Sequence, residues 1–162
     1  MRWTKLSVIL AFASMSLHPG LCQTSSTNEA VAKFYFEDVV NRQRLEGLNK
    51  VFADTFLVHS LLDSTETRKT ITDQSDFLKY LFKAFPDIHY TIGDILEAGN
   101  RIVMRVMFSG THKGEFWGYP ASGNHIRYLS EIFFFRFSNG KIAETWVQLD
   151  LYDLFKQLQS AK

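Results

Sequence analysis

Cysteine is nearly absent from this sequence, since Cys22 is the only one among 162 residues. A single thiol excludes an internal disulfide and cannot by itself build a zinc site. Net charge is nearly absent too, because 18 lysines and arginines are balanced by 17 aspartates and glutamates, which leaves +1. This balance argues against a nucleic-acid partner. Hydrophobic residues make up 46% of the chain, so one domain can bury a core.

Several motifs of catalysis and cofactor binding are also missing. The sequence contains no Gly-x-Ser-x-Gly elbow, no phosphate-binding loop and no dinucleotide fingerprint. Its five histidines show neither i,i+4 nor His-x-His spacing. A metal site would therefore have to be assembled by the fold, and lone histidines are more often structural or solvated. We expect no metal and no cofactor.

The N-terminus has the pattern of a signal peptide. Arg2 and Lys5 precede an uncharged apolar run at residues 6–17, and His-Pro-Gly at residues 18–20 ends the run. A membrane span needs about 20 apolar residues, so we expect no stable membrane insertion. A buried N-terminal helix is the alternative, but the run lacks the polar face that such a helix usually has.

The domain boundaries follow from this segment. A signal peptide at residues 1–22 would be cleaved after Cys22, which leaves a protein that is secreted or periplasmic. Residues 23–28 then form a polar linker, and residues 29–160 form the domain. Lipidation at Cys22 is a second possibility, although Leu21 replaces the small residue that usually precedes a lipidated cysteine.

The spacing of apolar residues predicts helices in the first half of the domain and strands in the second. Residues 63–73 are predicted to form a polar loop, and Pro86 separates the two halves. We expect an α+β fold in which a curved antiparallel sheet packs on N-terminal helices and a C-terminal helix, enclosing a pocket. The predicted helices are 29–41, 45–52, 74–85 and 151–159; the predicted strands are a brief one at 56–59 and long ones at 88–96, 101–112, 125–137 and 141–149.

One predicted strand places a carboxylate on an otherwise apolar face. Side chains alternate along a strand, so the odd-numbered residues 129–137 share a face on which only Glu131 is charged. We expect Phe133 and Phe135 to line the pocket. Desolvation would favour the neutral form of Glu131 and suit it to acid or base catalysis. An ion pair with a neighbour such as Arg105 explains the residue equally well.

The last strand carries a second set of candidate residues. Glu144, Trp146, Gln148 and Asp150 alternate along it, and we expect this face to point into the pocket. Trp146 would form an apolar wall, with Gln148 and Asp150 at the pocket mouth. Asp150 also precedes a helix, with Asp153 three residues later, so a helix N-cap worth ~1 kcal/mol is at least as good an interpretation.

The segment at residues 110–123 combines glycines with aromatic residues. Phe116, Trp117 and Tyr119 could form a hydrophobic rim around a ring-shaped ligand. The alternative is that the glycines serve only turns and a bulge at a corner of the sheet, and composition alone favours this second interpretation.

The same segment, Gly-Thr-His-x-Gly-Glu-Phe-x-Gly-x-Pro-x-x-Gly, resembles the signature of the SnoaL-like polyketide cyclase family, which is part of the nuclear transport factor 2-like superfamily. His59 stands where members of the family often have histidine. The resemblance extends over nearly all of residues 30–158. Its other elements are the Leu-Phe-Ala-Asp-x-Phe stretch within 41–56, Ala-Phe-Pro-Asp at 84–87, the hairpin at 136–142 and the C-terminal pattern at 144–158.

The resemblance implies a cone-shaped α+β barrel with a deep pocket, in a protein that commonly forms a homodimer or a higher homo-oligomer. Characterised members close a ring by intramolecular aldol condensation of a polyketide ester without a metal or cofactor. Their acid/base aspartate matches Asp150. This chain departs from the family where Phe133 replaces a pocket histidine, with Glu131 two positions earlier on the same face.

We therefore expect a cofactor-independent cyclase, isomerase or lyase that acts by general acid/base catalysis on a small hydrophobic, polyketide-like carbonyl compound. Asp150 and Glu131 are the candidate catalytic residues. The alternative is a secreted, non-catalytic binding domain for a small apolar ligand. The candidate substrate-binding residues are His59, Trp117, Phe133, Phe135, Trp146 and Gln148.

Overall fold

The computed structural model of the protein describes residues 27–60 and 65–159. The predicted signal peptide and all but the last two residues of the predicted linker lie outside the described residues. Within the described part of the chain, no helix is both long enough and apolar enough to cross a membrane.

The N-terminal half of the domain supplies most of the helical layer. The first helix buries Tyr35, Phe36, Val39 and Val40 where it continues as a π-helix after Phe34. A 3-10 turn at Leu45–Gly47 leads into the second helix, which is shorter than the predicted one. The helices are α1 (Thr27–Phe34, with its π-helical extension Tyr35–Val40), α2 (Leu48–Val51), α3 (Ile71–Ala84) and α4 (Leu151–Gln159).

Six strands of the described residues form one sheet, in the order β2-β1-β6-β5-β4-β3. Strand β1 runs parallel to β6, and every other neighbouring pair is antiparallel. The predicted α+β class and the four-strand antiparallel arrangement are confirmed, the predicted brief strand at 56–59 is part of β1, and β2 is a further strand at the edge. The strands are β1 (Phe52–His59), β2 (Glu66–Thr70), β3 (His89–Ala98), β4 (Arg101–Thr111), β5 (His125–Ser138) and β6 (Lys141–Leu149).

The predicted polar loop at residues 63–73 is wrong over most of its length. Strand β2 occupies Glu66–Thr70 at the edge of the sheet, and α3 begins directly after it. The edge strand is largely exposed on both faces, so its sequence lacks the apolar alternation that identifies a half-buried strand. A capping box starts α3: the Thr70 side chain accepts from the Asp73 N–H, and the Asp73 carboxylate accepts from the Thr70 N–H at 2.7 Å.

The turn between β5 and β6 matches its sequence signal. Asn139 and Gly140 both have positive φ, at 51° and 73°. A type I′ hairpin turn requires this conformation at both central positions, which Asn-Gly adopts readily. The predicted two-residue hairpin is therefore confirmed.

The helices pack on one face of the sheet, and the core between them is aromatic. The odd-numbered residues of β5 point to this face, as the alternation predicts: Leu129, Glu131, Phe135 and Phe137 are buried, and Phe133 packs against the core. The largest fully buried aromatic side chains are Phe36, Phe52, Phe56, Phe85 and Phe135.

Candidate functional site

A cavity of about 410 Å³ lies between the helices and the inner face of the sheet. Its volume falls within the ~300–1,000 Å³ that is usual for small-molecule sites. The π-helical segment contributes Tyr35 and Phe36, α3 contributes Gln74, Leu78 and Leu81, and each of the six strands contributes at least one residue. The sheet residues that line it include Phe52, Val58, Tyr90, Phe108, Leu129, Glu131, Phe133, Phe135, Thr145, Val147 and Leu149.

Aromatic rings in edge-to-face contact form much of the cavity wall. The Phe36 and Phe133 rings lie 4.9 Å apart at 74°, and the Tyr35 and Phe52 rings lie 5.2 Å apart at 89°. Such contacts fix the orientation of each ring, because the electropositive edge of one faces the electron-rich face of the other. The wall therefore offers a firm apolar surface to a ligand built of rings.

Of the acidic residues that line the cavity in the described part of the chain, Glu131 is the buried one. Its residue is 6% exposed, and the Tyr90 hydroxyl lies 3.3 Å from Oε1 and 3.4 Å from Oε2. Burial raises the pKa of Glu131 to about 8, and the Tyr90 hydrogen bond offsets this only in part. The carboxyl group is therefore mostly protonated at neutral pH, and it can gain or lose a proton within the physiological range.

The alternative interpretation of Glu131 as the partner of Arg105 is wrong. Arg105 lies on the opposite face of the sheet, where it is exposed and binds Asp94 with an Nη2 to Oδ2 distance of 2.7 Å. Its neighbour Val106 is the residue that pairs with Glu131 across the β4–β5 ladder. Since cross-strand partners share a face, Arg105 cannot reach the carboxylate.

Tyr35 provides a second polar group in the cavity. Gln74 Nε2, on α3, donates to the Tyr35 hydroxyl oxygen at 2.9 Å. Burial raises the pKa of Tyr35 well above its usual range, the hydrogen bond from Gln74 opposes this in part, and the charge of Glu131 adds a smaller rise. Burial likewise raises the pKa of Tyr90, again with a contribution from Glu131. Both phenols stay protonated and remain hydrogen-bond donors.

The cavity includes most of the residues that the sequence singles out. Glu131, Phe133, Phe135, His59 and Trp117 all line it. Their positions fit the predicted roles, which stay predictions.

The predicted inward face of β6 is wrong. Trp146, Gln148 and Asp150 do not line the cavity, and the alternate residues of the strand do. Strand β6 pairs Phe137 with Ile142 and then Arg136 with Glu144, so Ala143 is an extra residue in the ladder. A bulge of one residue exchanges the two faces of a strand. The alternation beyond Ala143 is therefore opposite to that of an unbroken hairpin.

Asp150 is exposed at the start of α4. Its Oδ1 accepts from the Asp153 N–H at 2.9 Å, which is the contact of a helix N-cap. The capping interpretation is thus borne out by the geometry. A catalytic role for Asp150 stays a prediction.

Outside the cavity wall, Trp146 joins a network of charged and aromatic side chains. Its ring stacks on His59 at 4.2 Å, and His59 Nε2 lies 2.8 Å from Glu144 Oε1. Arg136 hydrogen-bonds the other oxygen of Glu144. Burial alone would raise the pKa of Glu144, but the hydrogen bonds from Arg136 and His59 outweigh it and lower the pKa.

This network also contains the one candidate cation site among the described residues. One ligand atom from each of His59, Glu66 and Glu144 lies within 4.8 Å of the others. Both oxygens of Glu144 are already engaged, one by His59 and one by Arg136. A cation would have to displace these contacts, so the ion-pair network accounts for the cluster.

Residues 112–124, here called the closing loop, shape one end of the cavity. Phe116 and Trp117 line the cavity, and their rings stack at 4.7 Å. The Trp117 N–H donates to the Tyr80 hydroxyl at 2.6 Å, which ties the closing loop to α3. Trp117 and Gly118 have positive φ, at 49° and 84°. The segment forms tight turns, and Phe116 and Trp117 line the cavity whereas Tyr119 does not. Its role as a rim for a ring-shaped ligand stays a prediction.

The polar cavity residues that the sequence does not single out include Tyr35, Tyr90 and Gln74. Tyr35 and Tyr90 fit the apolar patterns of a helix and a strand, and those patterns do not separate a phenol from phenylalanine. The sequence indicates their polar role only through the hydroxyl group that distinguishes tyrosine from phenylalanine. Gln74 lies at the predicted start of a helix and carries no pattern that indicates a contact with Tyr35.

Comparison with known proteins identifies the class to which this fold and cavity belong. Residues 29–158 match the family model of the SnoaL-like polyketide cyclases. The match covers most of the chain, and the protein belongs to this family. The sequence matches no curated protein.

Solved structures show the same fold. A candidate polyketide cyclase from Acidithiobacillus ferrooxidans is 24% identical, with a TM-score of 0.75, over 85% of this chain and 98% of the other. A candidate SnoaL-like polyketide cyclase from Jannaschia sp. CCS1 is 18% identical, with a TM-score of 0.76, over 86% and 99%. AclR, a candidate hydroxylase from Streptomyces galilaeus, is 24% identical, with a TM-score of 0.69, over 83% and 97%. At these identities the likeness establishes the fold and leaves the reaction open.

Proposed function

We propose that the protein is a cofactor-independent enzyme that uses Glu131 as a general acid/base on a small hydrophobic carbonyl compound. The observation that carries this proposal is a carboxyl group buried in an apolar cavity, with the Tyr90 hydroxyl as its neighbour. A catalytic group works best when its pKa lies near the working pH, and burial brings the pKa of Glu131 to about 8.

The proposed step is proton transfer at the carbon next to the carbonyl group. Ionised Glu131 takes this proton: the C–H bond breaks, an O–H bond forms on the carboxyl, and the electron pair moves to the carbonyl oxygen as an enolate. The protonated carboxyl then returns the proton to carbon or oxygen. In a substrate with a second carbonyl group, the enolate carbon could attack it and close a ring, which is the reaction that membership of this family suggests.

Asp150 is the second candidate for the base, on the strength of the family resemblance. It does not line the cavity, and its Oδ1 already accepts from the helix that it caps. Glu131 is therefore the better candidate in this chain.

A non-catalytic binding domain for an apolar ligand is the alternative function. It is supported by the same raised pKa, since a cavity whose carboxyl group is protonated at neutral pH has no charge to repel an apolar compound. Binding alone predicts that the protein takes up a ketone but does not exchange its protons.

Hydrogen–deuterium exchange of 2-tetralone in D₂O distinguishes the two functions, because this bicyclic ketone has acidic protons beside its carbonyl group. We expect the protein to accelerate exchange, with a rate that rises with pH through about 8 as Glu131 ionises. Glu131→Gln should lower the rate by about 10² or more. Glu97→Gln is the matched control, since Glu97 is exposed on β3. An equal rate in the Glu131→Gln variant would refute the assignment.

We also propose that the mature protein begins at Gln23 and is secreted or periplasmic, and that it forms a homodimer or a higher homo-oligomer. The basic and apolar pattern of residues 2–17 supports export. The exposed side chains of Ile132 and Tyr128 on β5 support a contact between copies. N-terminal sequencing of exported protein tests the first proposal, and light scattering with the Ile132→Glu variant tests the second. A monomeric wild-type protein would refute the contact.

A further inference from the structure

The cavity contains a hydroxyl group that the proposed proton transfer does not use. The Tyr35 oxygen accepts a hydrogen bond from Gln74 Nε2 at 2.9 Å. Within residues 27–60 and 65–159, the Tyr35 O–H itself donates to no other group. Tyr35 is 5% exposed and lines the cavity, so its proton is available to a molecule bound there.

The surroundings of Tyr35 fix the ring in place. Phe52 and Phe135 contact it edge to face, with ring centroids 5.2 Å and 6.4 Å away at angles of 89° and 88°. The hydrogen bond from Gln74 orients the hydroxyl from the side of α3. A donor that is already oriented loses little freedom when it binds an acceptor, and burial strengthens the resulting hydrogen bond.

Tyr35 and Glu131 both line this cavity. They come from different elements, the π-helical segment and β5. A ligand in the cavity therefore meets a proton acceptor on the sheet and a hydrogen-bond donor on the helical layer.

We propose that Tyr35, oriented by Gln74, donates a hydrogen bond to the carbonyl oxygen of the bound compound. This inference rests on the proposed function and adds the group that would stabilise the enolate while Glu131 holds the proton taken from carbon. Tyr35 keeps its own proton throughout, so the electron pair of the broken C–H bond stays on the ligand. The substrate class that fits is a neutral cyclic ketone, whose oxygen faces Tyr35 and whose acidic carbon faces Glu131.

The test uses 2-tetralone labelled with ¹³C at its carbonyl carbon and the full protein. A hydrogen bond to a carbonyl oxygen deshields the attached carbon, so the bound resonance should move upfield in Tyr35→Phe relative to wild type. The exchange rate of the bound ketone should fall by about 10², which is typical for loss of one oxyanion donor, with little change in the concentration for half-saturation. Gln74→Met should act in the same direction with a smaller effect. Tyr152→Phe is the matched control, because Tyr152 is exposed on α4 and does not line the cavity, and the bound resonance should stay in place in this variant.

The outcomes separate the two proposals. If the resonance and the exchange rate of Tyr35→Phe equal those of wild type, the role of Tyr35 is refuted. If that variant does not fold by circular dichroism, an unchanged resonance in Gln74→Met refutes the positioning of the donor. If Glu131→Gln retains full exchange while Tyr35→Phe moves the resonance, the proposed function fails and the donor role stands. If wild-type protein shows no saturable binding of 2-tetralone, both proposals are overturned.

Discussion

Replacing Glu131 by glutamine should change the way in which the stability of the protein depends on pH. Burial raises the pKa of this carboxyl from 4.5 to about 8. Between these two pH values the unfolded chain has lost a proton that the folded protein still holds. The free energy of unfolding therefore decreases as pH rises through this interval, since deprotonation draws the equilibrium toward the unfolded chain.

The size of the effect follows from the two pKa values. Each pH unit within the interval removes ~1.4 kcal/mol from the free energy of unfolding. From pH 4.5 to about 8 the loss reaches about 5 kcal/mol. Small domains have a total stability of ~5–15 kcal/mol, so this loss would be a large fraction of the stability of the protein. Glutamine has nearly the same volume and can still bond Tyr90, but it does not titrate.

Urea denaturation followed by tryptophan fluorescence measures this effect at a series of pH values for wild type and Glu131→Gln. We expect the stability of wild type relative to the variant to fall by about 4 kcal/mol from pH 5 to pH 8. Glu97→Gln controls for the loss of an exposed carboxylate, and its curve should run parallel to that of wild type. Parallel curves for wild type and Glu131→Gln would show that the carboxyl is not held neutral by burial, and would remove the basis for its proposed role.

Four further changes test other parts of the site. Asp150→Asn should keep the thermal midpoint, because asparagine is also a good N-cap, and should exchange 2-tetralone within a few-fold of wild type; a loss of about 10² would assign the base to Asp150 instead. Phe133→Ala should cost less than the ~3–5 kcal/mol of a fully buried phenylalanine, because its side chain already faces a cavity, and a larger loss in urea denaturation would contradict this. Gly114→Ala should destabilise the protein by ~1–3 kcal/mol, since an added Cβ would lie 2.5 Å from the backbone oxygen of Lys83; an unchanged melting temperature would count against it. Burial lowers the pKa of His112 from 6.5, against smaller opposing effects of the Gly114 backbone and Glu115. Wild type should therefore lose stability relative to His112→Gln as pH falls below 6.5, and a stability difference that does not change with pH would rule this out.

The sequence predicts the fold well because hydrophobic periodicity carries most of its information. Strands β4 and β5 and helix α3 each bury one face, and their patterns show it, whereas β3 buries only Tyr90. Strand β2 lacks such a pattern because it is a polar edge strand, which is held in place by its pairing with β1 and not by the burial of one face. The inward carboxylate of Glu131 is predictable for the same reason as the strands, since it breaks an apolar face.

The rest of the site depends on details that a pattern does not contain. The bulge at Ala143 exchanges the faces of β6, and no glycine marks its position. Trp146 consequently does not line the cavity and stacks on His59, which does. The contact between Gln74 and Tyr35 joins two helices that are distant in sequence, so only the folded structure brings them together.

The place of β6 in the sheet governs how the protein can assemble. Strands β3, β4 and β5 pair with their neighbours in sequence, whereas β1 pairs with β6, from the other end of the domain. Closing so long a loop costs chain entropy, and folding that depends on distant pairs is slow. During synthesis, the β1–β2 hairpin emerges early and has no partner on its inner side until β6 leaves the ribosome. Until then the aromatic wall remains open to water, and the nascent chain is at its most prone to aggregation.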